Sequence, residues 1–117
     1  NWIEVHDDGM NQAARQGRPS VLILYADWCQ WCKKMFTETF TDPRVKYLAD
    51  QFVWTRANSD EDPSLKAFYE QQGFPMVVVS DANGSVIHKS EGFKDAQALL
   101  DILSPLTDPK RVKAEKK

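Results

Sequence analysis

The 117-residue chain is poor in the residues that usually declare a site: two cysteines, two histidines and five glycines. With His6 and His88 far apart and in no ligand-like spacing, too few ligands are available for a four-coordinate structural zinc site. No apolar run exceeds a few residues, so the sequence holds no transmembrane helix and no direct membrane insertion is expected. The opening "NWIEVHDDG" has no Met, no basic n-region and no apolar h-region, which is what a mature or excised chain without a signal peptide would show. Charge of one sign is lacking too. A net charge of −2 offers no field to attract nucleic acid.

What is present is ordinary for a globular chain, with 42% hydrophobic and 27% charged residues at a length that suits one core. Residues 1–106 are expected to form a single domain. The last ten residues, "DPKRVKAEKK", carry five basic and two acidic side chains, a local +3 that leaves the remainder near −5. Residues 107–117 are therefore expected to be a charged, solvated tail.

Short apolar runs alternate with helix-like stretches. Val21 to Tyr25 is continuously apolar, as a strand covered on both faces would be. Phe52 to Ala57 and Met76 to Ser80 read similarly, and Ser85 to Glu91 alternates like a strand nearer an edge. Asn83-Gly84 between the last two is a hairpin signal. A short strand at Trp2 to Val5 is a further candidate. Met10, Ala13 and Ala14 share a face of a first helix. Cys32, Met35, Phe36 and Phe40 form one apolar stripe at helical spacing. Asp42-Pro43 and Asp62-Pro63 each read as an N-cap followed by Pro at the first helical position. The second opens a helix with Leu65, Phe68 and Tyr69 inward and Gly73 as its C-cap. Ala96, Leu99, Leu100 and Leu103 mark a last helix stopped by Pro105. Strands joined through helices are expected to run parallel, and the hairpin to add one antiparallel strand. The fold class is α/β, a central mixed β-sheet with helices on both faces.

Both cysteines lie in "YADWCQWCKKM", residues 25–35. Helical periodicity begins just after Cys29. That places Cys29 at a helix N-terminus, where unpaired backbone N–H groups favour a thiolate. The thiolate is the attacking species in disulfide exchange. Cys32 lies one turn further, on the apolar stripe, positioned to attack a mixed disulfide formed at Cys29 and release the partner. Two other readings stay open. One is a two-coordinate Cu(I) site, since thiolates select soft metals. The other is a static structural pair, although so small a disulfide loop gains little chain-entropy stabilisation. The strand-helix context of the Cys-x-x-Cys favours redox chemistry.

The segment "ADWCQWCKKM" resembles the active-site segment of the thioredoxin superfamily, and "GFPMVVV" resembles that superfamily's loop in which a cis-proline precedes a strand. The likeness extends over roughly residues 3–104. It is nearest to the thioredoxin-like domains of bacterial envelope proteins, among them the C-terminal domain of the DsbD family, which share "YADWC" and a stretch like "ETFTDPRV". The resemblance implies a thioredoxin fold, with Cys29 as nucleophile and Cys32 as resolving cysteine. It implies that Trp28 packs beside the site and that a cis Pro75 lies against the cysteine pair. Phe74 would offer its backbone to an incoming peptide. Gln30 and Trp31, between the cysteines, stand where Gly-Pro is common. They would help set the reduction potential, and Trp31 is a candidate docking surface or a shield for the disulfide.

Two departures stand out. Many relatives carry a buried Asp six residues before the first cysteine, and the DsbD domain an acidic residue four after the second. This chain has Ile23 and Phe36 at those positions. Proton handling at Cys32 is therefore in question, and burial should raise that thiol's pKa. Glu38 is not expected to compensate. The histidines read as structural, with His88 facing solvent; Trp2 and Trp54 read as packing residues, and "NSDEDP" at 58–63 as a capped loop rather than a Ca²⁺ site. The expectation is a monomeric protein-disulfide oxidoreductase needing no cofactor beyond the Cys29–Cys32 pair. It would reduce cysteine-containing partner proteins outside the cytoplasm and be recharged by an upstream thiol donor. The alternatives are a non-catalytic module, either a Cu(I) carrier or a chaperone-like domain, and a disulfide oxidase or isomerase.

Overall fold

A computed structural model describes residues 2–107. The first helix, α1 (His6–Gln16), leads into β1 (Ser20–Tyr25), then α2 (Gln30–Lys34) and a π-helical turn at Met35–Thr39. α3 (Pro43–Leu48) and a 3-10 turn lead to β2 (Val53–Asn58). α4 (Pro63–Phe68) precedes the hairpin of β3 (Met76–Ser80) and β4 (Val86–Glu91), and α5 (Ala96–Leu103) closes the described chain with a 3-10 turn at Ser104–Leu106. The four strands lie in the order β2-β1-β3-β4, with β1 parallel to β2 and antiparallel to β3, and β3 antiparallel to β4.

Alternation along the central strands builds two cores. Val21, Ile23, Val77 and Val79 face one way, onto Met35, Val45, Leu48 and the α5 residues Leu99 and Leu103. Leu22, Leu24, Met76 and Val78 face the other way, onto Leu65 and Tyr69. α1 joins this second face, and its Gly9 comes so close to β2 that a Cβ there would fall on the Thr55 side chain. Asp42 and Asp62 cap α3 and α4 through their side chains, with Pro at the first position of each.

Several expectations are corrected. β3 follows a helix yet runs antiparallel to β1. A parallel return must retrace a strand, roughly 20 Å for six residues at about 3.3 Å each, whereas six helical residues cover only about 9 Å. The short α4 therefore leaves the chain at the end of the sheet where β2 stopped. Residues 2–5 contribute one isolated bridge, Ile3 to Thr55, and not a strand. In α1 the buried residues are Gly9 and Ala13, while Ala14 is exposed. α4 ends at Phe68, five residues before Gly73, with Glu70 in the left-handed conformation and the Gln71 N–H bonded back to the Lys66 carbonyl. Phe68 is 72% exposed, not inward. His88 is half-buried and bonded to Ser90 at 2.9 Å. Burial, reinforced by Lys94, lowers its pKa. Of the expected tail, Thr107 is buried and bonded to the Ser104 carbonyl, and residues 108–117 lie outside the described residues.

Candidate active site

The apolar β1 delivers the chain to the end of the sheet, where Ala26 to Trp28 turn it into α2. Cys29 is the N-cap: its backbone is extended, and its Sγ accepts the Cys32 N–H at 3.1 Å. The Cys29 N–H is itself bonded to the Ala26 carbonyl at 3.1 Å. The two cysteines form a disulfide, with Cα atoms 5.3 Å apart. Cys32 is 1% exposed and Cys29 only 4%, so both sulfurs are sheltered rather than one exposed and one hidden. The N–H that Cys29 Sγ accepts would stabilise negative charge there once the pair is reduced.

The single stripe expected through Phe40 is interrupted. The Phe40 N–H bonds to the Met35 carbonyl five residues back. This π turn buries Met35 and Thr39 and swings Phe36 and Phe40 toward Trp2, whose ring lies 5.3 and 5.0 Å from theirs. Thr39 Oγ1 donates to the Lys94 carbonyl at 2.6 Å and ties this turn to the loop carrying Phe93.

The second wall comes from the segment before β3. The Phe74–Pro75 peptide is cis, Pro75 is fully buried, and Phe74 packs against the Ala26, Cys29 and Cys32 cluster. Sequence reasoning missed the two side chains that hold this segment. Buried Gln71 donates from Nε2 to the Leu24 carbonyl at 3.2 Å and to the Gly73 carbonyl at 3.0 Å, while its Oε1 accepts from Ser59 Oγ at 2.5 Å. Glu91 on β4 accepts the N–H groups of Gln72 and Gly73 at 2.6 and 3.0 Å, and those two bonds hold its carboxyl below the usual range. Their only signal in the sequence was a polar residue beside a turn.

Two aromatic pairs flank the cysteines. Trp28, 63% exposed, meets the Phe74 ring at 4.8 Å and donates its indole N–H to Asp60 at 2.8 Å. Trp31, 57% exposed, meets Phe93 at 5.6 Å. Gln30 is exposed at the first position of α2. The structure thus packs Phe74 against the cysteine cluster, with Trp28 against Phe74 and with Phe93, which sequence reasoning did not single out, against Trp31.

Neither departure leaves a carboxylate in the core. Ile23 is fully buried, and Phe36 stands edge-on to Tyr25 at 5.4 Å. Cys32 instead lines a cleft with Tyr25, Asp27, Lys33, Phe36 and Arg56. Arg56 pairs with Glu4 at 3.1 Å and lies over the Phe36 ring at 5.3 Å. Burial raises the Tyr25 pKa, with Arg56 opposing it. Glu38 lines a different hollow with Asp42, Arg44 and Phe93. Among the described residues no three His, Cys, Asp or Glu side chains are gathered as a metal-ligand group, and no helix is long and apolar enough to cross a membrane.

Comparison with known proteins agrees with this geometry. The chain is 37% identical over 97 residues to the thiol:disulfide interchange protein DsbD of Tatumella citrea, covering 78% of this chain and 17% of the relative. It is likewise 37% identical over 98 residues to DsbD of Escherichia coli K12, covering 77% and 17%. The chain thus spans about a sixth of the length of the curated relatives it matches. Among solved structures, a thioredoxin from Thermus thermophilus superposes with a TM-score of 0.79 at 22% identity, over 90% of this chain and 85% of that one. The DsbH oxidoreductase superposes with a TM-score of 0.70 at 24% identity, over 91% and 83%. These superpositions carry the fold. A family model described as thioredoxin-like matches residues 1–82, the stretch from α1 through β3 that holds the cysteine pair and the Pro75 loop together, and the chain belongs to that thioredoxin-like family.

Proposed function

We propose that this domain is a protein thiol:disulfide oxidoreductase that reduces disulfides of partner proteins. The observation that carries the reading is the Cys29–Cys32 pair at the start of α2, with Cys29 Sγ on a backbone N–H and the Pro75 loop packed beside it. In the reduced state the Cys29 thiolate attacks one sulfur of a partner disulfide. A Cys29–partner bond forms, the partner's S–S bond breaks, and its second sulfur leaves as a thiolate that takes up a proton. Cys32 gives up its proton and its thiolate attacks Cys29 Sγ. The Cys29–Cys32 disulfide closes, and the partner's first sulfur departs as a thiolate. Two electrons pass to the partner, and an upstream dithiol must return them.

Phe74 would present backbone groups to an extended partner segment, with Trp28, Gln30, Trp31 and Pro75 framing it. With Ile23 and Phe36 in place of carboxylates, the cleft lined by Tyr25, Asp27 and Arg56 offers Cys32 its route to solvent. The name of the DsbD relatives, thiol:disulfide interchange, supports disulfide exchange, and the envelope setting of the domains the sequence resembles supports a role outside the cytoplasm. In this reading the domain works as a monomer through the Cys29–Cys32 pair.

Insulin reduction with dithiothreitol tests the activity. Turnover by the wild type and none by Cys29→Ser is expected; a background rate for the wild type, or full rate for Cys29→Ser, overturns the proposal. The reduction potential tests the direction. A value near thioredoxin's, about −270 mV, supports a reductant, and one near that of the oxidant DsbA, about −120 mV, refutes it.

A further inference from the structure

Lys34 ends α2 with its ammonium 5.4 Å from the Trp31 ring centroid and 5.1 Å from that of Phe93. The cation therefore caps a second aromatic pair, Trp31 and Phe93, distinct from the Trp28–Phe74 pair. Among the described residues no carboxylate lies within 4 Å of it, since the ion pairs there are His6–Asp7, Arg44–Asp42, Arg56–Glu4 and Lys89–Glu70. Glu38, one turn along, shares a hollow with Phe93 but is not paired with Lys34. The other aromatic pair repeats the arrangement: Lys66, also without an ion pair among the described residues, stands 5.7 Å from the Phe74 ring. On that side Asp60 accepts the Trp28 indole N–H. An exposed Trp31 and the half-buried rings of Phe93 and Phe74, overlain by ammonium groups that have no ion pair among the described residues, match a partner segment that brings both an apolar side chain and a carboxylate.

The reach is set by helix geometry. Five residues separate Cys29 from Lys34, about 7.5 Å of rise, which two or three residues of an extended chain span at about 3.3 Å each. We propose that Trp31, Phe93 and Lys34 form a specificity shelf that selects partner disulfides whose attacked cysteine has an acidic side chain two or three residues away. The inference rests on the oxidoreductase reading of the same site and adds to it the charge of the substrate.

The test uses reduced protein and three nine-residue peptides, each with one cysteine as a mixed disulfide with 2-mercaptoethanol. Glu, Gln or Lys occupies the positions two and three residues from that cysteine on both sides. Exchange is followed by stopped-flow tryptophan fluorescence, and every rate is divided by that toward uncharged 2-hydroxyethyl disulfide, so changes in Cys29 nucleophilicity cancel. The wild type should prefer the Glu peptide to the Lys peptide by about three- to fivefold at low salt, the scale of an exposed ion pair, with the preference shrinking at high salt. Lys34→Glu should abolish or invert that order, and Phe93→Ala should slow the Glu and Gln peptides alike. Equal normalised rates for all three peptides, or a preference undiminished in Lys34→Glu, overturn the shelf while leaving the oxidoreductase reading intact. Failure to react with any of the disulfides, the small uncharged one included, removes both.

Discussion

Replacing Gln71 by alanine should damage the site without touching a cysteine. The amide is buried and makes three hydrogen bonds, to the Leu24 carbonyl, the Gly73 carbonyl and the Ser59 hydroxyl. Two of these tether the segment before Pro75 to the end of β1, from which the cysteine loop departs. Each donated bond contributes about 0.5–1.5 kcal/mol, and a buried hydroxyl left without its partner costs about 1–3 kcal/mol, so the loss should total about 3 kcal/mol. With an unfolding entropy of about 2.1 cal/mol/K per residue, that lowers Tm by about 12 °C. The Gly73 amide should exchange with solvent faster than in the wild type, and insulin reduction should slow because Phe74 and Pro75 are no longer held against Cys29. Gln71→Glu separates bonding from volume. It keeps the acceptor for Ser59 but sets a carboxylate oxygen against two carbonyls, so it should be at least as destabilised at neutral pH and recover partly in acid. Circular dichroism, amide exchange and the insulin assay read these outcomes. A Tm within 3 °C of wild type would refute the energetic account. A large drop in Tm with unchanged exchange at Gly73 would refute the tether.

Glu91→Ala should lower Tm at pH 7, and the gap should close in acid. The folded carboxyl titrates below its ordinary value of 4.5 because it accepts the Gln72 and Gly73 N–H groups, so its stabilisation is full above that value and is lost as the pH falls through the folded one. A gap that persists unchanged at pH 3 would contradict this assignment. Gly9→Ala, which in a free helix would gain about 1 kcal/mol, should instead cost about 1–3 kcal/mol, because the new Cβ meets Thr55 on β2; a raised denaturation midpoint would show that α1 packs otherwise. Cys32→Ser should accumulate a covalent adduct with a partner disulfide, seen by mass spectrometry and released by dithiothreitol, whereas Cys29→Ser should form none. Met35→Ala, which empties a fully buried position under the sheet, should lower stability by about 2–5 kcal/mol in urea denaturation.

The sequence by itself determined the features whose causes lie within a turn of the residues that show them. The three-residue spacing of the cysteines, the Asp42-Pro43 and Asp62-Pro63 helix starts, the apolar β1 and β3 and the turn around Gly84 are each set by contacts a few positions apart, and each is found where local chemistry placed it. The resemblance around "ADWCQWC" and "GFP" added which distant segments belong to one site. Only the tertiary structure decided the rest. The direction of β3 depends on how far α4 can carry the chain. The left-handed Glu70 depends on how the end of α4 packs and not on where the next glycine lies. The π turn at Met35–Thr39 answers to Trp2 and Lys94, which are distant in sequence. Gln71 meets Leu24 across 47 residues, Glu91 meets Gly73 across 18, and Phe93 faces Trp31 from the far side of the sheet's last hairpin. Such pairings leave no periodicity or spacing in the chain, because their partners are chosen by the shape of the packed sheet and not by sequence neighbours.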